Sequence, residues 1–246
     1  MSEEKTIETI RGYSDELNNT FVNFSGGRYS LVALHLALRA LGEVKAIYVD
    51  TTISLPECNE YVKELCDEWG VDLTILERKD TDFWRLVRKK GFPFFNARWC
   101  MEKFKFIPLR IFNKVNNLDC LHLTGINKNE SKMRNKIYNI RGMYHFNYNI
   151  GSYVLHPILN WSKDMIEKYI EKNDLPINPC YTIYGENGNC YYCPYIKRRE
   201  YYIKLSRLHP DLFQNIVNAE LAMRNKGSAI YLRRGKRLYI SKLVAP

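Results

Sequence analysis

The sequence predicts an α/β chain with a doubly wound, mostly parallel sheet, and three observations lead there. Short β-rich runs alternate with helical patterns through the first half of the chain. A polar glycine turn, Ser25-Gly26-Gly27-Arg28-Tyr29-Ser30, joins the first such run to the first helix after it. The 246 residues, 46% of them hydrophobic, can fill one large core, yet no apolar run reaches the roughly 18 residues of a membrane span.

Taken in order, Thr20–Phe24 reads as a buried strand. A helix follows over Ser30–Leu41, where Leu31, Leu34, Leu38 and Leu41 recur at helical spacing and Gly42 ends it. Lys45–Asp50 is the second strand. Pro56 opens a helix that Tyr61, Leu65 and Trp69 carry to Gly70. Val71–Leu76 is the third strand, and Asp80–Lys90 a helix ending at Gly91. A helix over Met101–Asn113 and a strand over Asp119–Thr124 continue the alternation. Ser162 caps a helix that runs to Lys172. After Pro176 come a Cys-rich loop, helical stretches over Tyr195–Leu208 and Pro210–Lys226, and a hairpin of Ile230–Leu232 with Leu238–Ile240. The expected organisation is an α/β nucleotide-binding domain over residues 1–176. Residues 177–246 then form a cysteine knuckle, helices and a basic hairpin packed on it.

Lys and Arg number 37 against 27 Asp and Glu, a net charge of +10. That excess suits an anionic partner, nucleotide or nucleic acid, and equally a basic solvated surface. The charged opening MSEEKTIETIRGYSDE does not resemble a secretory signal, so a cytoplasmic protein without membrane contact is expected. In that setting seven cysteines point to metal or redox chemistry before disulfides.

The glycine turn is a candidate phosphate site. Gly26 and Gly27 let backbone amides approach a ligand, and the following helix offers free N–H groups and its positive dipole end. Ser25 and Ser30 add hydroxyls and Arg28 a countercharge. In open α/β sheets ligands bind beyond the carboxyl ends of the strands, where this turn must lie. Asp50 ends the next strand, within reach of an adenine or ribose group, or serves as a loop carboxylate. Glu130 and Arg134, four apart, form a surface pair or present the arginine to a phosphate. Arg98 and Lys103 could steady an anion, and Lys132 and Lys136 extend the same basic character.

Cys190-Tyr191-Tyr192-Cys193 is a Cys-x-x-Cys knuckle, with Cys180 before it and Cys100 further upstream. Gly185 and Gly188 supply flexibility, and Pro194 is placed to start the next helix. Four thiolates suit tetrahedral zinc or an iron–sulfur cluster, and the spacing does not choose between them. A dithiol redox pair is the other reading of a knuckle. Cys58, Cys66 and Cys120 read as core residues. Tyr191, Tyr192, Tyr195, Tyr201 and Tyr202, near Lys197, Arg198 and Arg199, are either a base-stacking patch or a packing layer. The basic hairpin tip Arg233-Arg234-Gly235-Lys236-Arg237 is either a nucleic-acid contact or a solvated turn. The five histidines show no ligand spacing and read as structural.

These segments resemble a known family. Ser-Gly-Gly-Arg-Tyr-Ser is similar to the pyrophosphate-binding loop of the adenine nucleotide alpha hydrolases, Ser-Gly-Gly-x-Asp-Ser, with Tyr29 in place of the aspartate. The runs Ile47–Thr51 with Pro56-Glu57, Arg98–Lys105 with Pro108-Leu109, Thr124–Arg134, His156–Ser162 and Asn178–Tyr181 resemble, in unbroken order, the phosphoadenylyl-sulfate (PAPS) reductase branch. Asn127 replaces an arginine of its Gly-Ile-Arg-x-x-Glu-Ser-x-x-Arg pattern. The resemblance implies a five-stranded parallel doubly wound sheet. It implies ATP or an adenylyl-sulfate, with Mg, held by Ser25, Gly26, Gly27, Arg28, Ser30, Asp50, Gly125, Glu130 and Arg134. It tips the centre of Cys100, Cys180, Cys190 and Cys193 toward a 4Fe–4S cluster, with zinc as the alternative.

Assimilatory reductases of that family carry a nucleophilic cysteine on a C-terminal tail, and here none follows Cys193. The expected activity is therefore cluster-dependent sulfur transfer to, or modification of, tRNA or DNA. One alternative is sulfonucleotide reduction with a thiol from a donor protein. The other is a non-catalytic nucleotide or nucleic-acid-binding module. The catalytic residues are unassigned.

Overall fold

The structure is a computed structural model describing residues 2–17, 19–94, 97–116, 120–185, 189–196, 198–224, 231–233 and 236–244. Strands β1 (Asn19–Asn23), β2 (Lys45–Asp50), β3 (Asp72–Glu77), β4 (Cys120–Thr124), β5 (Tyr144–Asn147) and β6 (Ser152–Leu155) form one sheet. Their order is β3-β2-β1-β4-β6-β5. Neighbours pair in parallel except β5, which runs antiparallel to β6. The doubly wound class is as expected, but the sheet has six strands where five were implied. The extra one, β5, is a four-residue edge strand, too short to carry a periodic pattern of its own.

Side chains alternate between the two sheet faces, as the two-residue repeat of a strand requires. Val22, Ala46, Leu121, Leu123 and Leu155 enter the main core, while Phe21, Ile47, Cys120 and Val154 enter a smaller cluster with Leu109 and Ile150. The main core is closed by α2 (Arg28–Leu41), which buries Leu31, Leu34 and Ala37, and by α3 (Pro56–Glu68), which buries Cys58, Val62 and Leu65. α1 (Glu3–Asp15), capped by Ser2, lies over α2: Arg11 donates to the Ala40 carbonyl at 2.8 Å and Glu3 pairs with Arg39.

After β3 come α4 (Phe83–Lys90), capped by Asp82, and α5 (Trp99–Met101). α5 passes through a π-helical turn, Glu102–Phe106, into α6 (Ile107–Val115), which covers the second face. A 3-10 turn, Lys128–Glu130, leads into α7 (Lys132–Arg141), and Ser162 caps α8 (Lys163–Lys172) as expected. The C-terminal part holds α9 (Cys180–Tyr184), α10 (Arg199–Leu208), α11 (Pro210–Arg224), the hairpin β7 (Tyr231–Arg233) with β8 (Lys236–Leu238), and α12 (Ile240–Val244).

Two of the boundaries that differ from expectation have a visible cause. Pro194 lies in a turn and α10 begins only at Arg199, because Arg198 is extended. Ile240 opens a helix instead of closing a strand, since the buried Glu220 carboxylate accepts the backbone N–H groups of Ile240 and Ser241. The readings that fell on Gly188, Lys197, Lys226, Ile230, Arg234 and Gly235 lie outside the described residues. Tyr191, Tyr192, Tyr201 and Tyr202 are buried, so they form a packing layer; Tyr195 is exposed. Among the described residues no helix is long and apolar enough to cross a membrane.

His122, on β4, is fully buried, its Nε2 3.1 Å from Asn113 Oδ1 and its Nδ1 2.9 Å from the Asn23 amide. Burial holds its pKa down to about 4. The unfolded ring protonates near 6.5, so neutral burial contributes stability above that pH and the contribution is lost as pH falls toward 4. Urea midpoints should therefore drop between pH 6.5 and 4.5, with roughly 3 kcal/mol at stake from this ring. His122→Gln should flatten that slope.

Candidate functional site

The strand order reverses between β1 and β4, so the crevice at their carboxyl ends is where an open α/β sheet binds ligands. The glycine turn lies there. Gly26 has φ +75°, and a Cβ on it would stand 2.9 Å from Cys58 Sγ and 3.1 Å from Asn178 Nδ2. Ser30 Oγ accepts from the N–H groups of Ser25 and Gly27, each at 3.2 Å, and donates to the Gly27 carbonyl at 2.8 Å. That hydroxyl, expected on a phosphate, is spent on shaping the turn. Tyr181 Oη accepts from Arg28 N–H at 3.1 Å. The N–H groups of Tyr29 and Ser30, also in the first turn, have no intrahelical acceptor.

Gly125 plays a different part from the one expected. A Cβ there would sit 2.5 Å from the backbone of Tyr29 and Ser30, so it is the residue that lets β4 end against the first turn of α2. Arg28 lies over the Tyr181 ring at 4.6 Å and lines a cavity of about 290 Å³ together with Glu167, Glu171 and Asp174. Tyr29 is half-buried between Arg28 and Arg134. Burial pushes its phenol up, and Glu167 and Tyr181 push it further, against the two arginines.

Asp50 serves its own loop. Its Oδ1 accepts from Thr52 N–H at 2.8 Å and from Ser54 Oγ at 3.1 Å. This holds Thr52, a β-branched residue, at φ +62°, a conformation side chains of that kind rarely adopt. Glu130 pairs with Arg134 and reaches back to Asn127 N–H, closing the 3-10 turn. Arg134 also feels Tyr138, Arg98, Tyr195 and Tyr29. Arg98 sits over the Tyr195 ring at 5.2 Å. Two guanidinium groups thus converge on the crevice, and burial pushes the Arg134 pKa down, with Arg98 adding to the effect.

The cysteine knuckle is tied to this same rim. Tyr191 N–H donates to the Ile53 carbonyl at 2.9 Å, and Leu55 N–H to the Asn189 carbonyl at 2.7 Å. Cys190 Sγ is 3.2 Å from Thr51 Oγ1, and the Asn189 side chain donates to the Ser25 carbonyl of the glycine turn. Cys190, Cys193 and Cys100 are close enough to affect one another's ionisation. Burial first, and the other thiols after it, push Cys193 up to about 11 and raise Cys100, while Lys105 on the π-helical turn opposes this.

Cys180 is not in that group. It is buried beside Cys58 and Glu57, with burial raising its thiol to about 12. Among the described residues, no three His, Cys, Asp or Glu side chains are gathered so as to hold a metal ion. The donor chemistry of three neighbouring thiols suits a thiophilic centre; as they stand, they do not close a ligand set. Cys58, Cys66 and Cys120 are core residues, as read from the sequence.

Comparison with known proteins fixes the family. The phosphoadenosine phosphosulfate reductase domain model matches residues 19–192. The chain belongs to that family. An uncharacterized protein of Methanocaldococcus jannaschii is 28% identical over 224 residues, which is 88% of this chain and 52% of the relative. A second uncharacterized protein of that organism is covered to 44%, so the chain spans about half the length of these two curated relatives. The PAPS reductase of Candida auris, solved as a phosphate complex, superposes with TM-score 0.58 at 19% identity, over 75% of this chain and 87% of that one. The U34-tRNA thiolase of Methanococcus maripaludis, solved with its 4Fe–4S cluster, gives TM-score 0.55 at 17% identity, over 90% and 79%. At those identities the structures establish a shared fold.

Asn178, Tyr181 and Asn189 were missed as parts of the site. Each bonds the glycine turn from more than 150 residues away: Asn178 Nδ2 donates to the Gly26 carbonyl at 3.0 Å. The segment Asn178–Tyr181 carried the only sequence signal, and it spoke of family, not of contact.

The glycines give a paired test. Gly125→Ala drives a Cβ into the α2 backbone and should cost about 3 kcal/mol or more in chemical denaturation. Gly12→Ala, in the middle of α1 with open space around it, should add about 0.5–1 kcal/mol.

Proposed function

We propose that the chain is an adenine-nucleotide enzyme that moves sulfur at an iron–sulfur centre held by Cys100, Cys190 and Cys193, with a nucleic acid as acceptor. The observation that carries this is the double tie between the cysteine knuckle and the nucleotide crevice. Asn189 bonds the glycine turn, and the neighbouring Cys190 contacts Thr51 at the end of β2. A thiol group and a phosphate-binding turn so joined can act on one substrate.

The chain's own residues divide the work. The first-turn N–H groups of α2 bind the phosphate chain, and Arg98 and Arg134 neutralise it. Asp50 keeps the β2 exit in the form that meets the nucleoside. Asn178 and Tyr181 hold the turn open. When bound, the centre would supply a metal site able to carry sulfur. Thiols bind a metal as thiolates, so loading releases protons and weakens as pH falls, and burial raises the thiols of Cys100 and Cys193 against it. Cys180 has no part in this assignment, because its neighbours are Cys58 and Glu57. The tRNA thiolase, whose fold this chain shares and whose structure holds a 4Fe–4S cluster, supports the reading.

Sulfonucleotide reduction with a donor thiol is the second reading, favoured by the family match itself. The two separate by product: pyrophosphate released from ATP in the presence of tRNA or DNA, against sulfite released from an adenylyl-sulfate with a thiol donor.

Protein purified without oxygen should be brown and contain iron. Cys190→Ala and Cys193→Ala should each lose most of that iron, and Cys180→Ala should keep it. Elemental analysis and the visible spectrum read the result. A wild-type protein free of iron, or iron lost in Cys180→Ala and kept in Cys193→Ala, would refute the assignment.

A further inference from the structure

We propose that the rim between β4 and β6 holds an anion subsite built on His156 Nε2, which takes a tetrahedral oxyanion, a phosphate or sulfate group. The inference rests on the nucleotide reading and deepens it. The glycine turn takes the phosphate chain, and this rim takes the group at its far end.

His156 directly follows β6, and the pairing of Leu123 with Leu155 sets it opposite Thr124 at the carboxyl end of β4. The residue is 1% exposed. Its Nδ1 lies 2.6 Å from Thr124 Oγ1, a hydroxyl that already accepts the Ile126 N–H at 3.3 Å. The subsite uses the tautomer in which Thr124 Oγ1 donates to Nδ1 and the neutral ring carries its own proton on Nε2. That Nε2 is buried and has no hydrogen-bond partner among the described residues. A buried donor left unmet is costly, and a native site normally fills it.

The surroundings say what fills it. Arg134 and Arg141 act on the imidazole, as does His145, whose ring centroid is 5.3 Å away and whose Nδ1 is likewise buried and unpartnered. Glu130, the carboxylate next to Arg134, is already paired with it. Donors and cations gathered in this way reward an oxyanion and repel a metal ion. Tyr138 stands edge-on to the imidazole, ring centroids 4.9 Å apart. It comes from α7, which buries none of its residues, so this wall can yield to an entering group. Through Gly125 the rim abuts the first turn of α2, which makes the two anion sites neighbours.

The test titrates the intact chain with inorganic sulfate, inorganic phosphate, AMP and ATP. Calorimetry and the imidazole NMR signals of His156 are followed together. Sulfate should move those signals saturably. His156→Asn, which can still reach Thr124 but has nothing at the Nε2 position, should bind sulfate about ten- to a hundredfold more weakly. His156→Gln, whose amide reaches the Nε2 position, should recover most of that loss. If His156→Asn does not fold, the wild-type titration and Thr124→Val, which frees the tautomer, carry the test.

ATP weakened in His156→Asn with AMP unchanged assigns the anion to the nucleotide. Sulfate weakened with ATP unchanged assigns it to a separate substrate. His156 signals indifferent to every anion mean that Nε2 holds a buried water, and the proposal falls. AMP binding with His156 silent sinks the subsite alone. Sulfate moving His156 in a chain that binds no adenylate sinks the nucleotide reading alone.

Discussion

The carboxyl end of β4 must meet the first turn of α2 backbone against backbone, and Gly125 is the residue that permits it. Parallel pairing of β1 with β4, from Asn19 against Cys120 to Asn23 against Thr124, delivers both strand ends to one place. A side chain at position 125 would push the helix off the rim and take the glycine turn with it. Everything chemical in the molecule is arranged around that contact. The turn precedes it, Thr124 and His156 sit beside it, and the knuckle closes over the far side of the turn. The site therefore depends on the absence of an atom more than on any single bond.

The turn itself is held from outside. A helix N-terminus frays when its N–H groups go unmet, and a two-glycine approach adds backbone freedom. Here Ser30 ties the turn internally, while Asn178, Tyr181 and Asn189 reach it from the C-terminal third of the chain. The knuckle is thus both wall and brace. Loss of order around Cys190 would loosen the glycine turn, and a steadier turn would steady the knuckle. Coupling between the turn and the knuckle follows from shared hydrogen bonds without any larger movement.

Much of the fold was legible because strands and helices announce themselves by period. β2 falls on the expected residues, and α2, α3 and α8 lie within a few positions of theirs. The β5–β6 hairpin and α7 were not legible. β5 is short and at the edge, and α7 buries nothing, so no apolar stripe marks it as a core helix. For the site, spacing singled out the glycine turn and the knuckle, and the structure seats Cys180 beside Cys58 and Glu57. Chain order placed it with Cys190 and Cys193; packing put it under α3 beside Glu57, whose carboxylate also accepts from Tyr184 at 2.8 Å and meets His209 Nε2 at 2.8 Å. Sequence neighbours of a cysteine stay close in space where the turn between them is tight, as in Cys190–Cys193. Ser30 and Gly125 show a related limit. Both were read as ligand contacts; in the structure Ser30 bonds the turn's own backbone and Gly125 makes room for that of α2.

Tyr29 ties these points together. The family pattern has an aspartate there, and a carboxylate among phosphates needs a cation between them. A phenol whose ionisation is pushed still higher by burial stays neutral, so the rim between Arg28 and Arg134 carries no opposing negative charge from this position. Arg134 is paired with Glu130, and Arg98 beside it adds to the lowering of its pKa. Two guanidinium groups in one crevice, of which Glu130 pairs one, leave a cationic excess that suits an anion. The departure from the family pattern reads accordingly as a change in how charge is balanced. Where the pattern has a carboxylate, this rim has a neutral phenol flanked by guanidinium groups.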